Sequence, residues 1–261
     1  MTSLRIFTIG GAIAYRALFN WVSPWIYIPT LLGGPIFQIL FFSYLGRYSG
    51  FEDDAFFVVG NGVQICAMTS VYGATMAIAN ERWFGTLSAL LATPASRFAL
   101  FLGRAVPFIV NGIFVSTFGL VLGWALLDFS PALSSLPALA LVLLVTVSSC
   151  TAFGLLLGSI GLRARDVFFA SNLAYFLMLL FCGVNIPLSD LPGWMGAIGR
   201  VLPVTHGIEA ARGVAAGEGL GDVATPLLAE LGIGAAYAVA AYGLFRFFEA
   251  DSRRRASLET V

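Results

Sequence analysis

Long apolar runs separated by short polar breaks divide the chain into lengths that suit membrane-spanning helices. A helix needs roughly 20 consecutive apolar residues to cross the hydrocarbon core of a bilayer. Six runs supply about that length, which predicts an all-α membrane protein with six transmembrane helices, spans 1 to 5 within residues 26–184 and span 6 within 224–247. The individual spans are predicted at 26–46, 55–80, 100–127, 136–161, 167–184 and 224–247.

Two further segments are amphipathic rather than uniformly apolar. In residues 1–25 the polar positions gather on one side of a helical wheel, which favours a helix lying in the membrane interface, with a frayed first span as the alternative. Three prolines cut residues 185–222 into pieces too short to cross the membrane, which predicts short re-entrant helices between spans 5 and 6. Residues 248–261 are predicted to form a tail, so the whole chain is interpreted as a single transmembrane domain.

The composition supports a membrane protein with several spans. Hydrophobic residues make up 59% and charged residues 11% of the 261 residues, and the mean hydropathy is +0.90. Soluble domains carry about 25% charged residues, so this chain has too little polar surface to face water on all sides. The net charge of zero argues against a nucleic-acid partner.

The basic residues restrict the chemistry of the chain and indicate its orientation. All 14 are arginine, so the sequence has no P-loop lysine and no complete nucleotide-binding motif. Placing both termini in the cytoplasm puts 11 of the 14 arginines on the cytoplasmic side. The positive-inside rule favours that arrangement, and an even number of spans requires both termini on one side. The prediction is a multi-pass protein of the inner membrane with cytoplasmic termini.

Polar side chains recur along one narrow face of the second predicted span. In hydrocarbon such groups must face other helices or a wet cavity, so they either line a transport pathway or form hydrogen bonds between helices. Both interpretations stay open. The fifth span has a thinner stripe of the same kind. The pathway-lining candidates are Asn61, Gln64, Met68, Tyr72, Thr75, Asn172 and Tyr175.

The segment between spans 5 and 6 carries His206, Glu209 and Arg212 at intervals of three residues. This spacing predicts a local polar cluster that fixes a short helix at the interface. A metal site is not predicted, because one histidine and one carboxylate are too few ligands. No charged residue lies near the centre of any predicted span, and no catalytic set of residues occurs in the membrane, so no proton relay and no catalytic residue is predicted.

A short amphipathic stretch interrupts the apolar pattern between spans 2 and 3. Leu87, Leu90 and Leu91 stand on one face of a helix that Pro94 ends. The helix is too short to cross a bilayer, so it is expected at the cytoplasmic surface. A solvated loop lying on the headgroups is the alternative.

This stretch resembles the first cytoplasmic loop of the type-2 ABC exporter permeases. In that family the loop is a coupling helix that docks into a cleft on a separate ATPase subunit, so the resemblance implies contact with an ATPase. The family usually has an acidic residue where this chain has Ser88, which affects one charged contact. The residues that carry the resemblance are Glu81, Arg82, Gly85, Thr86, Leu87, Leu90, Leu91, Pro94 and Arg97.

The resemblance also implies a function and a set of partners. The chain would be the permease subunit of an ATP-driven exporter, working with two copies of an ATPase subunit and a second permease, identical or homologous. No cofactor is expected in this chain, since the partner would bind ATP and Mg. The family places the re-entrant region at an extracellular gate, which implies gate roles for Pro203, His206 and Glu209.

The transported molecule is predicted less directly. An apolar, aromatic chain without a charged pathway favours an amphipathic or lipophilic cargo, such as a drug or natural product. Because aromatic rings also stack on sugars, a polysaccharide or lipid-linked saccharide is the alternative. A membrane-embedded enzyme or a channel outside the ABC exporters is the second alternative.

Overall fold

The computed structural model describes residues 24–50, 53–83, 97–127, 129–161 and 166–255, and these residues form an all-helical bundle without strands. A short 3-10 turn, Leu133–Ser135, leads into the fourth helix. The helices are α1 (Pro24–Tyr48), α2 (Asp54–Trp83), α3 (Arg97–Leu126), α4 (Leu136–Gly161), α5 (Val167–Phe181), α6 (Gly193–Gly199), α7 (Thr205–Ala215) and α8 (Ala224–Arg255).

Four helical stretches in the described part of the chain are long and apolar enough to cross a membrane. They support the predicted membrane protein, whereas the count of six spans is not confirmed and stays a prediction. Helix α1 covers the first predicted span and α5 most of the fifth, but neither is among the four stretches. The four stretches are Asp54–Ala79, Ala105–Leu126, Leu133–Gly161 and Ala224–Phe247.

Several predicted boundaries differ from the helix ends, and those of α5 and α8 are examples. Helix α5 has 15 residues and ends at Phe181, because Gly183 adopts a φ of 71° that turns the chain out of the helix. The apolar pattern continues to Val184 and therefore overestimates this helix. At the other end of the chain, α8 passes the predicted boundary at Phe247 and remains helical to Arg255. Residues 1–23, most of the predicted interfacial helix, lie outside the described residues.

Helix α2 is the centre of the bundle and packs against α1, α3, α4, α5 and α7. Glycines on its neighbours allow close approach. A Cβ added at Gly154 of α4 would lie 2.5 Å from the carbonyl oxygen of Val71, and one added at Gly123 of α3 would lie 2.1 Å from a methyl group of Val58. Thr75 strengthens the contact with α4, since its hydroxyl donates to the carbonyl oxygen of Gly154 at 2.9 Å.

Helix α8 packs on the outside of the bundle, against α4 and α7. Gly234 approaches Ser149 of α4, while Leu228 and Val239 on the other side are 65% and 71% exposed, as suits a face toward lipid. A cavity of about 350 Å³ lies between α3, α4 and α8.

The segment predicted to be re-entrant contains two short helices, α6 with 7 residues and α7 with 11. At 1.5 Å per residue, neither approaches the roughly 30 Å thickness of the hydrocarbon core. Helix α7 is the more deeply packed, with buried residues along much of its length, and it contacts α2, α4 and α8. The presence of short helices is as predicted, and their position relative to a bilayer stays a prediction.

Candidate functional site

A network of buried polar side chains crosses the middle of the bundle. The side-chain amide of Gln38 in α1 donates to Asn61 Oδ1 at 2.9 Å and to Gln64 Oε1 at 3.0 Å, both in α2. The hydroxyl of Tyr175 in α5 donates to Gln38 Oε1 at 2.5 Å. Asn61 in turn donates to Asn185 Oδ1 at 2.7 Å, in the turn that follows α5. The network therefore joins α1, α2, α5 and the segment beyond α5.

Burial explains why these side chains bond to one another. Asn61 and Gln64 are fully buried, and an amide removed from water without a partner costs about 1–3 kcal/mol. Their spacing of three residues places both on the side of α2 that faces α1. Gln38 lies at the centre of the network and is absent from the residues selected by the sequence pattern. Its isolated amide within the apolar run 26–46 is the signal that would have indicated it.

A cavity of about 510 Å³ lies beside this network, between α1, α2, α3 and α5. It extends toward the start of α1 and the end of α2, which is the half of the bundle nearest to the connection between α2 and α3. Gln38 and Tyr175 form part of its polar wall, and all of the described side chains that line it are uncharged. Ligand cavities commonly combine such apolar walls with a few placed polar groups. The apolar walls include Leu31, Ile65, Met68, Met76, Phe108 and Val115, and the other polar residues are Thr69, Tyr72 and Asn111.

The predicted pathway residues divide between the cavity, the network and the helix contacts. Met68, Tyr72 and Tyr175 line the cavity, while Asn61 and Gln64 lie in the network next to it. The other two occupy neither place. Thr75 bonds to backbone oxygens of α2 and α4, and Asn172 donates to the carbonyl oxygen of Phe168 one turn earlier in its own helix. For Thr75 the geometry is that of hydrogen bonding between helices, one of the two interpretations left open by the sequence.

A buried carboxylate holds the start of α7. Glu230 of α8 is fully buried, and it accepts hydrogen bonds from the backbone amides of Val204 at 2.9 Å and Gly207 at 3.1 Å. These amides belong to the first turn of α7, where backbone N–H groups have no partner within the helix. The sequence pattern did not select Glu230, although it is the only acidic residue in the apolar run 224–247.

A partly buried guanidinium holds the other end of α7. Arg212 donates to the carbonyl oxygens of Gly183 at 2.9 Å, Val184 at 2.9 Å and Phe56 at 3.0 Å. Its guanidinium carbon lies 3.6 Å from the centre of the Phe56 ring, which is a cation–π contact. Burial lowers the pKa of Arg212 to about 10, so the side chain remains a cation at pH 7.

The predicted cluster of His206, Glu209 and Arg212 forms only in part, because Arg212 does not join the other two. His206 Nδ1 lies 3.5 Å from Glu209 Oε2, but Arg212 makes its bonds on a different side of α7. The reason is geometric: at 3.6 residues per turn each step of three residues rotates by about 60°, so Arg212 lies about 120° from His206. His206 Nε2 lies 3.2 Å from the carbonyl oxygen of Arg200, and the carbonyl oxygen of Pro203 lies 3.6 Å from Cys182 Sγ. The gate roles of Pro203, His206 and Glu209 stay predictions.

Most of the predicted coupling stretch lies outside the residues that the structure describes. Residues 84–96, with Gly85, Thr86, Leu87, Leu90, Leu91 and Pro94, lie outside the described residues. Glu81 and Arg82 belong to the last turn of α2 and Arg97 begins α3, without described side chains. The coupling role of these residues therefore stays a prediction.

Comparison of the sequence with known proteins assigns the chain to a family. The sequence model described as ABC-2 type transporter matches residues 11–215, which is more than half of the chain. The chain is also similar to proteins named "probable multidrug ABC transporter permease YbhR" in Escherichia coli K12 and in Escherichia coli O157:H7. Each is 28% identical to it over 156 residues. That match covers 59% of this chain and 42% of each relative, so it spans less than half of their length.

Proposed function

The chain belongs to the ABC-2 type transporter family, and from this membership we propose that it is the permease subunit of an ATP-driven exporter. Its cargo is an amphipathic or lipophilic small molecule, a drug or a natural product, that leaves the cell. Similarity to a relative named as a probable multidrug permease supports this class of cargo.

The single observation that carries the cargo class is the 510 Å³ cavity beside the polar network. Its apolar walls remove the nonpolar part of a molecule from water, and its uncharged polar side chains offer that molecule hydrogen bonds. A saccharide is the runner-up cargo, since Tyr72, Phe108 and Tyr175 provide aromatic rings. A sugar chain needs a hydrogen-bond partner for nearly every hydroxyl, however, and most of this wall is apolar.

The energy for export comes from a separate subunit. Two ATPase copies bind ATP and Mg, and their closure moves the coupling helix around Gly85 and Leu91, which reorients the spans. The absence of lysine supports this division of labour, because the chain lacks the lysine of a nucleotide-binding loop. In this arrangement both termini and the coupling helix are cytoplasmic, the protein crosses the inner membrane six times, and α6 and α7 form the re-entrant segment on the outer side.

A second permease subunit, identical or homologous, completes the transport path. A shallow groove between α1 and α5 supports a partner at this side of the bundle, because Gln38 and Tyr175 of the network reach it between exposed aromatic rings. Phe37 and Phe176 on its rim are 76% and 61% exposed. Closing this groove with a second subunit would place the two polar networks on either side of a central path.

Copurification tests the proposed coupling. The tagged full chain is purified in detergent as the native protein and as the double variant Leu87→Asp/Leu91→Asp, and the proteins that accompany it are identified. We expect an ABC ATPase with the native chain and its loss from the double variant, because a carboxylate on the apolar face opposes docking into a cleft. Leu220→Asp is the matched control, since Leu220 is exposed between α7 and α8 and should keep the ATPase.

The other outcomes of this experiment separate the alternatives. A folded native chain that brings down no ATPase would overturn the exporter and favour the channel or the membrane-embedded enzyme. An ATPase that stays bound to the double variant would leave an ABC permease but remove the coupling helix from residues 86–91.

A further inference from the structure

Helix α7 is held by the fully buried carboxyl group of Glu230 at one end and by the partly buried guanidinium of Arg212 at the other, and these two groups do not bond to each other. Glu230 bonds to the amides at the start of α7, whereas Arg212 near the end of α7 bonds to three carbonyl oxygens elsewhere. We propose that Glu230 and Arg212 are positioning residues that clamp α7 at its two ends over the turn following α5, so that release of either end uncovers this turn.

The contacts at the first end tie α7 to α8 and α4. Val204 has a φ of 85°, a conformation that is costly for a β-branched residue and persists only when its surroundings hold it. Its backbone amide donates one of the two hydrogen bonds that Glu230 accepts. Gly207 donates the other bond and fits against Thr146 of α4 so closely that an added Cβ would lie 2.1 Å from the Thr146 hydroxyl.

The contacts at the second end tie α7 to α2 and to the turn after α5. The carbonyl oxygens of Gly183 and Val184 belong to that turn, and the carbonyl oxygen of Phe56 belongs to the first turn of α2. Gly60 makes this convergence possible, because a Cβ there would lie 2.4 Å from the Val184 carbonyl oxygen and 2.6 Å from Arg212 Nη2. If α8 moves relative to α2 and α5, the contacts at one end of α7 must therefore break.

A native thiol reports on the covered turn. Cys182 directly precedes Gly183, is 1% exposed, and lies 3.6 Å from the carbonyl oxygen of Pro203 just before α7. The chain has two other cysteines, Cys66 and Cys150, whose thiols are fully buried between α2 and α4 and lie 4.0 Å apart. Opening of α7 alone should expose Cys182, whereas loosening of the whole bundle should expose all three.

The test measures labelling of single thiols in the full chain by a polar maleimide in lipid nanodiscs. The background Cys66→Ala/Cys150→Ala leaves only Cys182, and Cys66→Ala/Cys182→Ala leaves only Cys150. In the first background we expect Arg212→Gln and Glu230→Gln each to raise the labelling rate about tenfold or more, because each loses hydrogen bonds that hold one end of α7. In the second background neither substitution should change the rate.

Matched controls and conservative variants complete the design. Arg200→Gln and Glu218→Gln remove the same charges from exposed positions near α7 and should leave Cys182 labelling within about twofold. If a neutral variant fails to fold, Arg212→Lys and Glu230→Asp replace it. Each keeps the charge but reaches fewer of the partners, so the Cys182 rate should fall between the native and neutral values.

Two results would overturn the clamp. Unchanged Cys182 labelling in the folded variants would mean that α7 stays in place without these charges, and equal acceleration at Cys150 would mean that they stabilise the bundle as a whole. Because a nanodisc exposes both membrane faces and needs neither cargo nor ATPase, the outcome is independent of the exporter proposal. Loss of that proposal in the copurification would leave the clamp untouched.

Discussion

The close contact between α2 and α4 gives a stability prediction with a built-in reference. Gly154→Ala places a Cβ 2.5 Å from the carbonyl oxygen of Val71 and 2.9 Å from Cβ of Ala74. The first of these neighbours is backbone and cannot rotate away, so the two helices must separate. Separation also lengthens the hydrogen bond from Thr75 to the Gly154 carbonyl oxygen, now 2.9 Å. Overpacking of this kind costs about 1–3 kcal/mol.

Gly232 in α8 is the matched control. An added Cβ there has no atom within 4 Å, so Gly232→Ala introduces the same methyl group without a contact. Both changes also replace glycine by alanine inside a helix, which favours the helix by about 1 kcal/mol. The intrinsic term cancels when the two variants are compared, and their difference in unfolding free energy isolates the packing cost at Gly154.

Thermal unfolding of the full chain in one lipid–detergent mixture measures this difference. We expect the midpoint of Gly154→Ala to lie below that of Gly232→Ala by about 2–4 °C for each kcal/mol of packing cost. Equal midpoints, or a higher midpoint for Gly154→Ala, would refute the reasoning. They would mean that α2 and α4 are not held at the distance seen in the structure.

Two further predictions concern single hydrogen-bonding side chains, one neutral and one charged. Tyr175→Phe removes the donor to Gln38 Oε1, so the unfolding free energy should fall by about 1 kcal/mol, and uptake of a lipophilic probe into inverted vesicles should fall as well. Unchanged uptake, or an effect only on a saccharide probe, would contradict the proposed cargo. Arg47→Met removes the guanidinium from the buried carboxylate of Asp54, which it contacts through two nitrogens, and should lower stability by about 1–2 kcal/mol because Arg47 is partly exposed. Arg200→Met, on an exposed arginine, should leave the unfolding midpoint unchanged, and an equal loss in both variants would refute this reading.

The sequence predicted helices well where a single rule decides the structure. Helix α4 has the predicted bounds of 136–161, because polar or turn-forming residues interrupt the apolar run at both ends. The fifth predicted span is too long, because hydropathy counts Gly183 and Val184 as apolar and does not register the left-handed conformation of the glycine.

The candidate site was harder to predict because the residues that form it are far apart in the sequence. The helical periodicity of polar residues in the second predicted span selected Asn61 and Gln64. The residue that joins them, Gln38, precedes them by 23 and 26 positions. The spacing of His206 and Arg212 suggested a common face, whereas the bonds of Arg212 depend on carbonyl oxygens that only the folded chain brings together. Local periodicity thus identifies which side of a helix is polar, and tertiary packing decides what that side contacts.

The hydrogen bonds of the central network all run in one direction. Tyr175 donates to Gln38, Gln38 donates to Asn61, and Asn61 donates to Asn185. Turning one carboxamide by half a rotation would bring two oxygens or two NH₂ groups face to face, so its neighbours would have to turn with it. One backbone contact fixes which way the chain of amides runs, because Asn61 Nδ2 also donates to the carbonyl oxygen of Phe57 at 3.0 Å and that oxygen can only accept. A molecule that replaces the Tyr175 hydroxyl must therefore itself donate a hydrogen bond to Gln38 Oε1.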